Sequence, residues 1–388
     1  MSIDSSDNSV KLVTSSNISS IPYDDDSSAF EGSYIEEWLN DTSVDGFLGN
    51  LRQPEKFIKM NSKWNASQMA DNSKPPREEE GGTIVEDTVG LLNYYEFGKI
   101  SEYINDKKST YLLTPYDSTN IWYFYQYSIF NFSISDKSNN IQNPGIKASI
   151  NLKPEIKVVD GDGSEDDPYR LEGDNDKNLK GTKLNTRYSG EYISFGVGEN
   201  NLYRIVSHEF EGLTKITSAS VLKENGENKT IGFNRNSPFS KIYSVETSLG
   251  SFLNNEFLDN YLAAKQRNMV EKDSIWYLGE LNNGENYKLT KYADINMTGY
   301  TSDTVIATVG LLRAGELMAG VGYYNVAYWL ITPINNNISV RLFNGNGTLF
   351  QYNILNPFAI KPALNLKSNV IITSGDGTKE NPFAIELG

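Results

Sequence analysis

Residues 145–171 read GIKASINLKPEIKVVDGDGSEDDPYRL, and residues 359–386 read AIKPALNLKSNVIITSGDGTKENPFAIE. Both stretches carry Asn-Leu-Lys, then an apolar run, then Gly-Asp-Gly, then a Pro-aromatic pair (Pro168-Tyr169 and Pro382-Phe383). Asn151 and Asn365 stand 214 positions apart. Upstream marks repeat in the same order. TVGLL occurs at 88–92 and 308–312, with Glu96 and Glu316 four places after the last Leu. Leu-Leu-Thr-Pro at 112–115 answers Leu-Ile-Thr-Pro at 330–333, and Trp38-Leu39-Asn40 answers Phe252-Leu253-Asn254. Residues 12–15 align with residues 215–218. A fixed order with drifting spacing describes two copies of one domain with loop insertions. A solenoid would repeat about every 20–50 residues.

The chain has 388 residues, so each copy is large enough for a core of its own. The division read from the repeat is 1–173, a linker at 174–183, and 184–388. The net charge of −15, with no clustered Lys or Arg, argues against a nucleic-acid partner. No apolar stretch of membrane-spanning length occurs. Cysteine is absent, which excludes disulfides and thiolate metal sites. With 24 Tyr, one His and abundant Asn and Ser, the composition fits exported, cell-surface proteins of Gram-positive bacteria.

The second copy opens with alternating segments at 191–196, 202–206 and 213–218, which predict short strands. An apolar stripe predicts a helix over 248–262, and Gly-Leu-Leu at 310–312 predicts the start of another near Val309. Further strands are predicted at 327–332, 338–343, 348–353 and 358–366, with a hairpin turn at 344–347. The first copy shows no counterpart of the two opening strands, and an exposed sheet edge favours a chain cut upstream over their loss.

His208 is the only histidine and has no unusual Ser nearby, so nucleophilic triads find no support. Among so many acidic residues, paired carboxylates carry little information. The reading is therefore non-catalytic. In the loop at 160–167, Asp160, Asp162, Ser164 and Asp166 alternate as calcium ligands do. Position twelve, however, is Leu171, and a glycine turn capped by Asp is the simpler account. No cofactor is expected, with calcium the one candidate. The densest signal is IWYFYQYSIFNFSIS at 121–135. Tyr123, Tyr125 and Tyr127 fall on one strand face and Trp122 on the other, with Tyr116 just upstream. A row of exposed Tyr is a rigid contact surface. The matching part of the second copy offers Asn335, Asn337, Ser339, Arg341, Phe343, Asn344 and Asn346 instead. Both sets are read as ligand contacts; inter-copy packing or ordinary strand surface remain alternatives.

The order Trp-Leu-Asn, Gly-Leu-Leu…Glu, Tyr-Trp-Leu-Ile-Thr-Pro, Ile-Lys-Pro-Ala-Leu-Asn-Leu and Gly-Asp-Gly resembles a bacterial family of uncharacterised domains. That family occurs in Firmicutes surface proteins, including prepilin-like and multidomain cell-wall proteins. It is similar in turn to the C-type-lectin-like fold. The resemblance implies an α+β chain of two tandem C-type-lectin-like domains, each with two helices and twisted antiparallel sheets. The disulfides and the Glu-Pro-Asn and Trp-Asn-Asp sets of vertebrate lectins are missing, as are the catalytic cysteines of formylglycine-generating enzymes. The resemblance thus implies a scaffold. The role expected from it is an adhesin or other extracellular module on a bacterial surface or pilus, binding a glycan or protein. The alternative is a structural repeat or filament subunit that contacts neighbouring subunits through its aromatic faces.

Overall fold

The computed structural model describes residues 2–3, 8–15, 17–18, 23–24, 26–42, 46–51, 53–101, 109–125, 128–134, 144–164, 169–172, 179–208, 212–237, 240–278, 304–313, 316, 326–334, 338–344 and 348–388. In the first copy the strands are β1 (Ser2–Ile3), β2 (Val10–Val13), β3 (Ser62–Asn65), β4 (Ile84–Asp87), β5 (Val89–Gly90), β6 (Thr110–Pro115), β7 (Asn120–Tyr125), β8 (Ser128–Ser133), β9 (Ser149–Leu152), β10 (Val158–Asp160) and β11 (Arg170–Leu171). Its helices are α1 (Tyr34–Asn40), α2 (Pro54–Phe57) and α3 (Tyr94–Ile100). The second copy contains β12 (Tyr192–Ser194), β13 (Leu202–His208), β14 (Thr214–Ser218), β15 (Lys223–Glu224), β16 (Glu227–Asn228), β17 (Thr230–Gly232), β18 (Ser274–Tyr277), β19 (Thr304–Ala307), β20 (Val309–Leu311), β21 (Tyr328–Pro333), β22 (Ser339–Asn344), β23 (Thr348–Asn353), β24 (Pro357–Ala359), β25 (Pro362–Leu366), β26 (Val370–Ser374) and β27 (Ala384–Leu387). Its helices are α4 (Ser248–Asn254), α5 (Glu256–Tyr261) and α6 (Ala264–Met269).

The copies share one strand plan. Sheet order β1-β2-β9-β5 in the first matches β13-β14-β25-β20 in the second, where β12 adds an edge. The hairpin β3-β4 matches β18-β19, and β6-β7-β8 matches β21-β22-β23. Lys11 pairs with Asn151 as Lys215 pairs with Asn365. The alignment of residues 12–15 with 215–218 is therefore one residue out, and Lys11 is the partner of Lys215. In a strand that slip would send every side chain to the wrong face. β1 occupies the place of β13, so one of the two opening strands has a short counterpart.

The repeated motifs are framework. Asn254 on α4 donates to Val309 O (3.1 Å) and accepts from the Thr308 and Val309 amides (3.0 Å each). Asn40 on α1 repeats this with Val89, at 3.0 and 2.9 Å. The Lys of Asn-Leu-Lys ties β9 to Glu55 O (2.7 Å) and β25 to Asn268 O (2.9 Å). The second glycine of Gly-Asp-Gly lies against the Pro-aromatic ring. Gly163 and Gly377 have φ of +84° and +81°, and a Cβ there would meet Tyr169 or Phe383 at 2.6 Å.

The C-type-lectin-like expectation is overturned. Strands hold 38% of the described residues and helices 18%. The longest described helices, α1, α3 and α4, have seven residues each. Among the described residues, the four sheets of three or more strands resemble a four-bladed β-propeller more than two lectin-like domains, though three of them recruit strands from far apart in the chain. Two local errors explain the misreading. Gly-Leu-Leu begins in strand β20, not a helix, and a short apolar run buried on all sides has no telling period. The helix predicted over 248–262 breaks at Asn255 (φ −126°, ψ −85°) into α4 and α5. The strand predicted over 358–366 divides into β24 and β25, which join different sheets; the other predicted strands of the second copy form, and β22 and β23 pair as a hairpin whose turn at 345–347 lies outside the described residues. Residues 181–183 bond to β26 of the second copy, through Gly181 N to Ile372 O (2.7 Å) and the Lys183–Ile371 bridge.

Candidate functional site

The sheet β6-β7-β8 carries the aromatic signal. Cross-strand pairing places Ile121, Tyr123 and Tyr125 opposite Phe132, Phe130 and Ser128. This face runs outward from the core. Ile121 is fully buried, Tyr123 is half-buried against Phe130 (6.0 Å) and Phe132 (5.8 Å), and Tyr125 and Phe130 are 38% and 46% exposed. Burial, then Tyr125, raises the Tyr123 phenol above its usual range. The opposite face is buried too. Trp122 and Phe124 join Leu92, Phe97 and Leu112 in a second, smaller core under α3. The Trp122 indole donates to Met69 O (2.7 Å) and is flanked by Tyr94 (5.0 Å) and the exposed Tyr116 (4.8 Å). Two separate cores accept the two faces.

Of the predicted contacts in the first copy, Tyr116 and Tyr125 are exposed, Tyr123 is half-buried, and Trp122 is buried. Tyr127 lies outside the described residues. In the second copy Arg341 and Phe343 are fully buried and Ser339 is half-buried. Asn344 ends β22 opposite Thr348, and Asn335, Asn337 and Asn346 lie outside the described residues. The exposed apolar side chains there are Ile338, Tyr352 and Leu355 instead. Sequence reasoning passed over Phe130 and Tyr352. Their strands follow a hairpin, and the outward parity of that hairpin was the available signal.

The proposed metal loop is not assembled by the described residues. Asp162 accepts from the Ser164 amide (2.8 Å) and Asp160 from the Gly161 amide (3.0 Å), while Asp166 lies outside the described residues. The equivalent Asp376 accepts from Thr378 N (3.0 Å) and Oγ1 (2.7 Å). These are the bonds of a capped turn. Among the described residues no group of three or more His, Cys, Asp or Glu could hold a metal. His208 bridges Arg187 O and Thr214 Oγ1.

One carboxyl pair was not legible in the sequence. Asp87, at the end of β4, shares a hydrogen bond with Glu36 on α1. Burial, then Glu36 and Glu31, pushes the Asp87 carboxyl up to about 7, and burial raises Glu36 as well. Carboxyls in direct contact leave no room for a sugar between them; retaining glycosidases hold theirs about 5–5.5 Å apart. The consequence is in stability. The folded chain keeps a proton on Asp87 that the unfolded chain releases near 3.8, so stability falls as pH rises through that window to about 7. After allowance for solvent screening of this half-exposed group, Asp87→Asn should remove a pH-dependent loss of about 1–2 kcal/mol. Urea titrations on either side of the window check this; parallel wild-type and variant profiles would refute it.

No family model, curated protein or solved structure matches this chain. The site therefore rests on its own geometry.

Proposed function

We propose that the chain is a non-catalytic binding module of a bacterial surface or pilus-associated protein, exposed outside the cell. It engages a glycan or protein ligand through the face of the β7-β8 hairpin that carries Tyr125 and Phe130. One observation carries this reading. Two copies keep the same framework while the equivalent sheets differ in chemistry. Trp122 and Tyr123 of β7 stand where β22 has Arg341 and Leu342, and Tyr125 and Phe130 are exposed. Exposed aromatic side chains grouped on one rigid hairpin are a recurring feature of recognition surfaces. The absence of cysteine suits an exported chain. No described helix is long and apolar enough to cross a membrane.

The test is binding of the whole chain to a glycan array and to intact cells, with Tyr125→Ser and Phe130→Ser combined as the variant. Both positions are exposed, so stability should change little. The expected result is at least a tenfold loss of binding. Undiminished binding would remove the hairpin from the site. Concentration-dependent assembly abolished by the same pair, with no ligand bound, would replace the adhesin with a filament subunit.

A further inference from the structure

The last hairpin of each copy is built alike. Val158 pairs with Leu171 as Ile372 pairs with Ile385, and Asp160 pairs with Arg170 as Ser374 pairs with Ala384. Each hairpin leaves its sheet by the same turn, with Ile156 N donating to Lys153 O and Val370 N to Lys367 O (3.2 Å each). Their surroundings differ. Ile372 and Phe383 are fully buried, whereas their counterparts Val158 and Tyr169 are 53% and 50% exposed.

The cover in the second copy is that copy's own opening segment. Gly181 N donates to Ile372 O (2.7 Å), and Ile372 N donates to Thr182 O (2.9 Å). Further on, Tyr192 N donates to Gly377 O (2.8 Å), Phe383 N to Tyr192 O (2.9 Å) and Ser194 N to Phe383 O (2.9 Å). Between these two ladders the Arg187 guanidinium lies 5.4 Å from the Phe383 ring, and Leu184 and Ile193 are buried in the core. β12 also pairs with β13, so one segment closes both the edge of the sheet and the hairpin.

Among the described residues the first copy has no such segment. β1 is the outermost strand of its sheet, and β10 pairs with β11 alone. Glu172 N donates to Lys157 O (2.8 Å), so Lys157 faces β11. Alternation then turns the N–H and C=O of Val158 outward, where Ile372 meets residues 181 and 182. An open strand edge beside exposed apolar side chains is a template for an added strand.

We propose that the β10-β11 hairpin of the first copy is a docking site for an extended strand donated by another polypeptide and patterned like residues 179–194. The donated backbone pairs with Val158, and its side chains cover Val158 and Tyr169. The site is on a different hairpin from Tyr125 and Phe130, and it does not depend on the ligand proposed for them.

The probe is a fluorescent synthetic peptide of residues 179–196, titrated with the whole chain and read by anisotropy, with a scrambled peptide as control. Only the ordered sequence should bind saturably. Val158→Lys combined with Tyr169→Ser should weaken that binding at least tenfold; both positions are exposed, so the fold should hold. Saturating peptide should also slow hydrogen exchange at the Val158 amide at least tenfold. No binding, equal binding of the scrambled peptide, undiminished binding by the variant, or an unchanged Val158 amide would each overturn the site. Self-association of the wild type, abolished by the same two changes, would overturn the donated strand in favour of a second copy of the chain.

Discussion

Glu316→Ala is expected to cost about 3–5 kcal/mol, the range for removing one partner of a buried ion pair. Its carboxylate bridges two cations that are themselves enclosed. Lys215 and Glu316 are each 4% exposed in their side chains, and Arg313 is 8%. The Glu316 carboxylate also accepts from the Arg313 amide at 2.8 Å. Truncation would take this carboxylate away from two enclosed charges. The equivalent change in the first copy should be mild. Lys11 and Glu96 meet at 2.6 Å, but their side chains are 18% and 28% exposed, and Asn93 stands where Arg313 does. Glu96→Ala should therefore cost about 1 kcal/mol. Chemical denaturation of both variants gives the comparison; equal losses would show that the two copies do not bury the pair differently.

The same group makes a pH prediction. Burial alone would raise the Glu316 carboxyl; Arg313 and Lys215 more than offset it and hold it at about 2, below the usual 4.5. A depressed folded value contributes stability that is complete above the unfolded value and is lost as pH falls toward the folded one. Wild type should lose stability steeply below about pH 4.5, and Glu316→Gln should show a flatter profile over that range.

Gly310→Ala should cost about 3 kcal/mol, the upper end for overpacking a filled core. A Cβ there would lie 2.5 Å from the Trp276 ring, far inside contact distance. The indole cannot step aside. It is 2% exposed, its Nε1 donates to Ala307 O at 2.9 Å, and the Lys215 ammonium sits 5.2 Å from its ring. Gly90 repeats the arrangement against Trp64, at 2.4 Å. Gly98 is the control. It lies inside α3 with its nearest neighbour at 3.6 Å, so Gly98→Ala should stabilise by about 0.5–1 kcal/mol. Melting curves of the two variants decide; a tolerated Gly310→Ala would mean that the indole is free to move.

The repeat was legible because its residues perform fixed local tasks. Asn40 and Asn254 clamp a strand, Lys153 and Lys367 tie down a carbonyl, and Gly163 and Gly377 admit a ring. Such tasks tolerate few replacements and so survive in both copies. The architecture was not legible, because a buried Gly-Leu-Leu run reads alike as strand or helix. The aromatic faces of β7 could be sorted by parity, but parity does not say which face a core will cover. Arg341 looks like a surface contact in the sequence and is fully buried. The Asp87–Glu36 contact joins residues distant in sequence, and no period or motif marks it.

The pairing of Leu12 with Ile150, and of Ile216 with Leu364, governs how the chain must be made. Each copy closes its principal sheet with strands from its two ends. At about 5–20 residues per second, the early strand waits roughly 7–30 s on the ribosome before its partner emerges. Through that interval its backbone can join any other unpaired strand, a neighbouring nascent chain included. Slowing initiation, so that ribosomes are spaced further apart on the message, should raise the yield of soluble protein more than cooling does.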